Sequence, residues 1–180
     1  MPIQSYVALL RAVNVGGTGK LPMTELKAMA GELGLANVRT YIASGNLVFD
    51  SQLPEAEIKA ALEARLARHA GKPLGVIIRS ADEIRDVLAA NPFPEAPGNR
   101  SVAIFLDAAP PADALEHARH AGGERMRLGR REIYVHYPQG QGQSKLIIPA
   151  AKTGTARNMN TVAKLVEMAD AEGAPSARSR

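Results

Sequence analysis

The residues best suited to chemistry lie in polar loops that follow apolar runs. The first such loop begins where Tyr6 to Leu10 gives way to Arg11, then to Asn14-Val-Gly-Gly-Thr-Gly-Lys20. Successive glycines can turn backbone N–H groups inward around an anion, and Lys20 adds a positive charge. A Walker A loop requires G-x-x-x-x-G-K-[ST]. Here Asn14 stands at the first glycine and Leu21 at the hydroxyl position, and the next helix starts too late, near Pro22, so a P-loop is not expected. A solvated loop that needs glycine only for its turns fits the same residues.

A second cluster is Thr155-Ala-Arg-Asn-Met-Asn-Thr161, which leads directly into an apolar helical stripe. Unpaired amides and the helix dipole favour an anion there. Arg157 can offer two parallel hydrogen bonds to a phosphate or carboxylate. Asn158 or Asn160 suits the helix N-cap, and capping does not account for Arg157. Between the two clusters, Gly140-Gln-Gly-Gln-Ser-Lys145 has the composition of a flexible cover for such a site. Ser144 and Lys145 are adjacent, which does not supply the spatial hydrogen bond that a Ser/Lys nucleophile needs. Ser44 and Asn46 flank Gly45 in a tight turn. The leading expectation is that Arg11, Asn14, Lys20, Ser44, Asn46, Lys145, Arg157 and Asn158 converge on one small anionic ligand, a nucleotide or phosphorylated metabolite. No catalytic residue can be assigned. His117 and His120 share a helix face without a third ligand, and the carboxylates are scattered, so neither a metal site nor a cofactor is expected.

Bulk composition sets the frame for these residues. The chain has 180 residues, with no cysteine and no tryptophan, and a net charge of +4. Disulfides, thiolate zinc sites and cysteine nucleophiles are excluded. No apolar run approaches the roughly 20 residues that span a bilayer. No basic segment followed by an apolar one opens the chain, so a cytoplasmic monomer that meets no membrane is expected. Charge is uneven: residues 125–165 carry eight Lys and Arg against Glu132 alone. Such a concentration attracts anions, and it also describes a solvated basic face. A nucleic-acid-binding module is the competing reading, since ferredoxin-like sheets can stack bases on aromatics. The aromatics here have no RNP-like spacing, so only weak, non-specific nucleic-acid binding is expected. A protein-interaction domain with no small ligand is a third reading.

The elements that must position these residues follow from periodicity. Ile3 to Leu10 is nearly continuous in apolar residues, as in a strand buried on both faces. Leu26, Met29, Ala30 and Leu33 form one helical stripe between Pro22 and Gly34. Val38 to Phe49 reads as two strands joined at Ser44-Gly45-Asn46. A helix from Pro54 to Ala70 and a strand from Leu74 to Ile78 complete a βαββαβ order. A short helix from Ala81 to Ala90 ends at a Pro-rich link that runs to Pro97-Gly98. Beyond it the expected elements are a strand at Val102–Leu106, a helix at 112–121, strands near 124–128 and 132–137, and a last helix carrying Val162, Leu165, Val166 and Ala169. The expectation is an α/β (α+β) fold of duplicated ferredoxin-like units, with mixed or antiparallel sheets and helices packed on them. The units would span 1–90 and 99–172, with residues 173–180 a disordered tail.

Ala8-Leu-Leu-Arg-Ala-Val-Asn-Val-Gly-Gly17, Tyr41-Ile-Ala-Ser-Gly-Asn-Leu-Val-Phe49, Asn91-Pro-Phe93, Ser144-Lys-Leu146 and Ala156-Arg-Asn-Met-Asn-Thr-Val-Ala-Lys-Leu165 together resemble the bacterial family catalogued as domain of unknown function 1697. The likeness runs in order to about Ala169. It implies an α/β fold of duplicated ferredoxin-like units and no established activity. The family usually carries Trp after Arg-Asn, where this chain has Met159. Two roles for that position stay open, a ring stacked on a ligand base or a core residue that Met can replace.

Overall fold

The computed structural model describes residues 2–11, 21–41 and 45–178. The chain divides into two compact units, Met1–Ile84 with Leu165–Arg180, and Arg85–Lys164. The break therefore falls inside the short helix expected at 81–90, ahead of the Pro-rich link, and the last helix is shared between the units. Each unit holds a four-stranded antiparallel sheet, giving a mixed α+β fold.

In the N-terminal unit the order is β1 (Gln4–Leu10), α1 (Met23–Glu32), β2 (Ala36–Tyr41), β3 (Asn46–Ser51), α2 (Glu55–Ala70) and β4 (Val76–Ser80). The strands lie in the order β2-β3-β1-β4. Tyr6, Ala8 and Leu10 of β1 join Leu26, Met29, Ile58, Leu62 and Leu66 of the helices in one core. Val7 and Leu9, which alternate with them, are buried on the opposite face, as the unbroken apolar run predicts. The β2–β3 connection includes Gly45 at φ 83°, a left-handed conformation that glycine adopts without strain. α2 ends at Gly71, also left-handed, whose N–H donates to the Ala67 carbonyl at 2.8 Å. α3 (Ala81–Ala89) follows β4 directly. Its start is a capping box, in which the Ser80 amide donates to Glu83 Oε1 (2.8 Å) and the Glu83 amide to Ser80 Oγ (3.2 Å).

The C-terminal unit has β5 (Ser101–Phe105), β6 (Arg125–Leu128), β7 (Glu132–His136) and β8 (Thr155–Asn158). The order β6-β7-β5-β8 repeats that of the first sheet. The connections differ. The helix expected at 112–121 is a single 3-10 turn, Ala114–His117. Ala118 is extended, Arg119 pairs with Ile147 in an isolated antiparallel bridge, and His120 takes φ 60°. Pairing to a distant strand-like residue has displaced a weak local helical preference. Thr155–Asn158, expected as a polar lead-in to a helix, is an edge strand hydrogen-bonded to β5. α4 begins at once at Met159 and runs to Arg178, so it takes in residues 173–178, expected to lack regular structure.

Candidate functional site

Val102, Ile104 and Leu106 of the β5 segment turn one face toward Ile133, Val135 and Tyr137. In the N-terminal unit the matching core is closed by the long helices α1 and α2. Here it is closed by the 3-10 turn at Ala114–His117 and by the irregular segment 137–154, which carries two further 3-10 turns. These pieces leave a cleft of about 610 Å³. Its floor is Ile104, Tyr137, Leu146, Ile148 and Ala156. Its exposed rim includes Arg119, Gln141, Ile147 and Lys152.

Three local devices hold the walls. The Arg119 amide donates to the Ile147 carbonyl at 2.8 Å and the Ile147 amide to the Arg119 carbonyl at 2.9 Å. That pair fixes a cation beside an isoleucine that is 46% exposed. The Glu124 carboxylate takes hydrogen bonds from the Ser144 hydroxyl and the Gly122 amide. Ser144 Oγ in turn accepts from the Leu146 amide at 3.1 Å. The loop expected to act as a flexible cover is thus tied at its C-terminal end. The Ser144 hydrogen bond, followed by that from Gly122, holds the Glu124 carboxyl below the ordinary carboxylate value. Burial, and then the charge of Glu124, pushes the Tyr137 hydroxyl up, so it keeps its proton. Finally, Gly154 lets β8 start close against β5: a Cβ there would lie 2.6 Å from the Phe105 carbonyl oxygen.

The lining offers two cations, a phenol and a carboxamide, and no carboxylate, imidazole or thiol is among the residues that form it. Such a set can hold an anion. It has no general acid–base pair at neutral pH. Among the described residues no group of His, Asp and Glu is placed to hold a metal ion.

The residues singled out from sequence are distributed differently. Asn14, Lys20 and Ser44 lie outside the described residues. Arg11 belongs to the N-terminal unit, where its amide donates to the Gly75 carbonyl at 3.0 Å and its side chain packs over Gly75. Asn46 is fully buried and its side-chain amide donates to the Tyr41 carbonyl at 2.9 Å, a bond within the hairpin. In the C-terminal unit Lys145 is exposed and precedes the floor residue Leu146. Asn158 Oδ1 accepts from the Thr161 amide at 2.9 Å, the N-cap role. Arg157 is on β8, not in a loop, and is only 7% exposed. Its Nη1 donates to Thr155 Oγ1 at 2.6 Å and to the Ala156 carbonyl at 2.9 Å. Burial pushes its pKa down to about 10. Alternation along β8 sets Arg157 on the face of the sheet opposite Ala156, hence opposite the cleft. Tyr134 shares that opposite face, and its hydroxyl donates to the Val87 carbonyl of α3 at 3.1 Å.

A family model described as a protein of unknown function (DUF1697) matches residues 3–134. The chain belongs to this family. Its structure is similar to that of a conserved bacterial protein from Streptococcus pneumoniae, with a TM-score of 0.78 and 26% identity over 93% of this chain and 99% of that one. No curated protein matches it. In this DUF1697 member Met159, at the position where the family resemblance leads one to expect Trp, is 5% exposed and so sits as a packed residue. The cleft residues Arg119, Tyr137, Gln141 and Lys152 were not candidates from sequence. Gln141 sits in the glycine-rich loop and Lys152 in the basic stretch, so both had a regional signal. Arg119 had none, because its placement comes from pairing with Ile147, 28 residues on.

Proposed function

We propose that this protein binds a small anionic molecule, a nucleotide or other phosphorylated metabolite, in the cleft of its C-terminal unit. The observation that carries this reading is a cleft of about 610 Å³ with Arg119 and Lys152 on the rim of an apolar floor. That volume is within the range of small-molecule sites. Two cations with no lining carboxylate favour an anion, and low-dielectric walls strengthen the attraction. The polar residues singled out from sequence in the N-terminal unit have no part in this reading. The shared strand order of the two sheets supports reading both units as variants of one ferredoxin-like plan, the second with its helices reduced to turns.

Thermal-shift titration against inorganic phosphate, nucleotides and sugar phosphates tests the proposal, with Arg119→Ala and Lys152→Ala as variants. Both side chains are on the rim, so the variants should fold. The wild type should be stabilised by at least one phosphate compound and each variant should lose roughly tenfold in affinity. If no anion stabilises the wild type, or if the variants respond as it does, the reading is wrong. Tighter binding to a defined RNA than to any small anion would favour the nucleic-acid reading.

A further inference from the structure

The division of the cleft into an apolar floor and a cationic rim carries more than the presence of an anion. The floor side chains Ile104, Leu146, Ile148 and Ala156 present only hydrocarbon, and Tyr137 supplies the one hydroxyl among the floor residues. A sugar or a nucleobase seated there would bury several hydroxyl, amino or carbonyl groups against carbon. Buried polar groups without partners weaken binding steeply. An apolar body loses nothing on entering and sheds the water that the floor otherwise orders.

The rim fixes the other end of the molecule. Arg119 and Lys152 give the lining two positive charges and no negative one. A phosphomonoester, with nearly two negative charges at neutral pH and three acceptor oxygens, attracts such cations more strongly than a monoanionic carboxylate. The backbone bridge of Arg119 to Ile147 keeps the cation next to an exposed isoleucine at the mouth. Charge and hydrocarbon therefore meet at one edge, where a ligand would change from anionic head to apolar body. The same face in the N-terminal unit is filled by helices, so the apolar room here is built into the architecture of this unit.

We infer that, among the phosphorylated molecules the cleft admits, it prefers an organic phosphomonoester with an apolar aromatic or alkyl body to free nucleotides and sugar phosphates. The inference rests on the reading of the cleft as an anion site and narrows its ligand class. An amphipathic acidic peptide would satisfy the same charges, but a cleft of about 610 Å³ has the dimensions of one small molecule.

Isothermal titration of the full chain with 1-naphthyl phosphate, 1-naphthol, inorganic phosphate, AMP, glucose 6-phosphate and an acidic amphipathic peptide, at one pH and ionic strength, tests it. Naphthyl phosphate should bind at least tenfold more tightly than every other probe. Ile147→Ser, at an exposed position that does not threaten folding, should weaken naphthyl phosphate severalfold and leave inorganic phosphate unchanged. Lys152→Gln should weaken naphthyl phosphate and leave naphthol unchanged. Tighter binding of AMP or glucose 6-phosphate would overturn this inference while leaving the anion site standing. Equal binding of naphthol would overturn it by showing that the rim charges are unused, and tighter binding of the peptide by showing a different occupant. If none of the phosphate compounds binds, the anion reading fails together with it.

Discussion

The Ser144 hydroxyl donates to the Glu124 carboxylate, 20 residues earlier in the chain, and this bond seats the glycine-rich loop against the start of β6. Because that loop brings Gln141 to the rim of the cleft, the carboxylate positions one wall of it.

A pH dependence follows. The folded-state pKa of Glu124 lies below its ordinary 4.5, so the folded form binds the proton less readily than the unfolded one. The contribution of the anchor is complete above the ordinary value and is lost as pH falls through the lower folded value. Hydrogen-exchange protection of the Gly122 and Leu146 amides should therefore drop as pH falls through that lowered value, below 4.5, while core amides of β5 keep theirs. Glu124→Gln should flatten that difference. Protection at both amides that is constant across this range in the wild type would refute the anchor.

Arg157 offers a contrasting case. Placed in a polar loop, as its sequence suggests, its loss would leave the free protein's stability unchanged. Its burial on β8 predicts otherwise. Arg157→Ala removes a buried stem and the hydrogen bonds to Thr155 and Ala156, and should destabilise the protein by about 2 kcal/mol. Arg157→Met, which keeps most of the stem, should cost less. Urea unfolding of the three proteins measures this, and an unchanged midpoint for Arg157→Ala would show that the side chain is dispensable to the fold.

Gly154 tests how closely β8 approaches β5. In Gly154→Ala the new carbon would meet the Phe105 carbonyl oxygen at 2.6 Å and Leu106 Cδ2 at 2.8 Å. A backbone oxygen held in a sheet cannot retreat, so a loss of about 1–3 kcal/mol is expected. Gly142→Ala, with nothing within 4 Å of the new carbon, is the control and should be near neutral. Equal effects of the two substitutions in thermal unfolding would contradict the close approach.

The N-terminal unit was legible element by element because its local signals agree. β1 is an unbroken apolar run, α1 and α2 carry single apolar stripes, and Gly34, Gly45 and Gly71 all take the positive φ that their turn or cap positions suggested. The C-terminal unit was less so. Its hairpin of β6 and β7 was visible from the two short strands on either side of the tight-turn pair Gly129-Arg130. The stretch at 112–121 carries the signal of a weak helix that stops at Gly122-Gly123, but Pro110 and Pro111 precede it and Arg119 is committed to Ile147. β8 has only small and polar residues, Thr155, Ala156, Arg157 and Asn158, and no pattern of its own. It becomes a strand through register with β5. The cleft residues were hidden for the same reason, since they are brought together by pairings between distant segments. A charge count found the basic region, and it could not tell Lys152 on the rim from Arg157 in the sheet interior.

The register that sets Phe105 opposite Thr155 also fixes an order of events. β6 and β7 are neighbours in sequence and need only a short turn to meet, and loop closure over so few residues is fast. β8 must return across 50 residues to reach β5, and the entropy of closing that loop is not recovered until its hydrogen bonds form. Chain synthesis imposes the same sequence, since three strands of the sheet emerge before Ala156 does. The cleft wall is therefore laid down last, on a sheet that already exists.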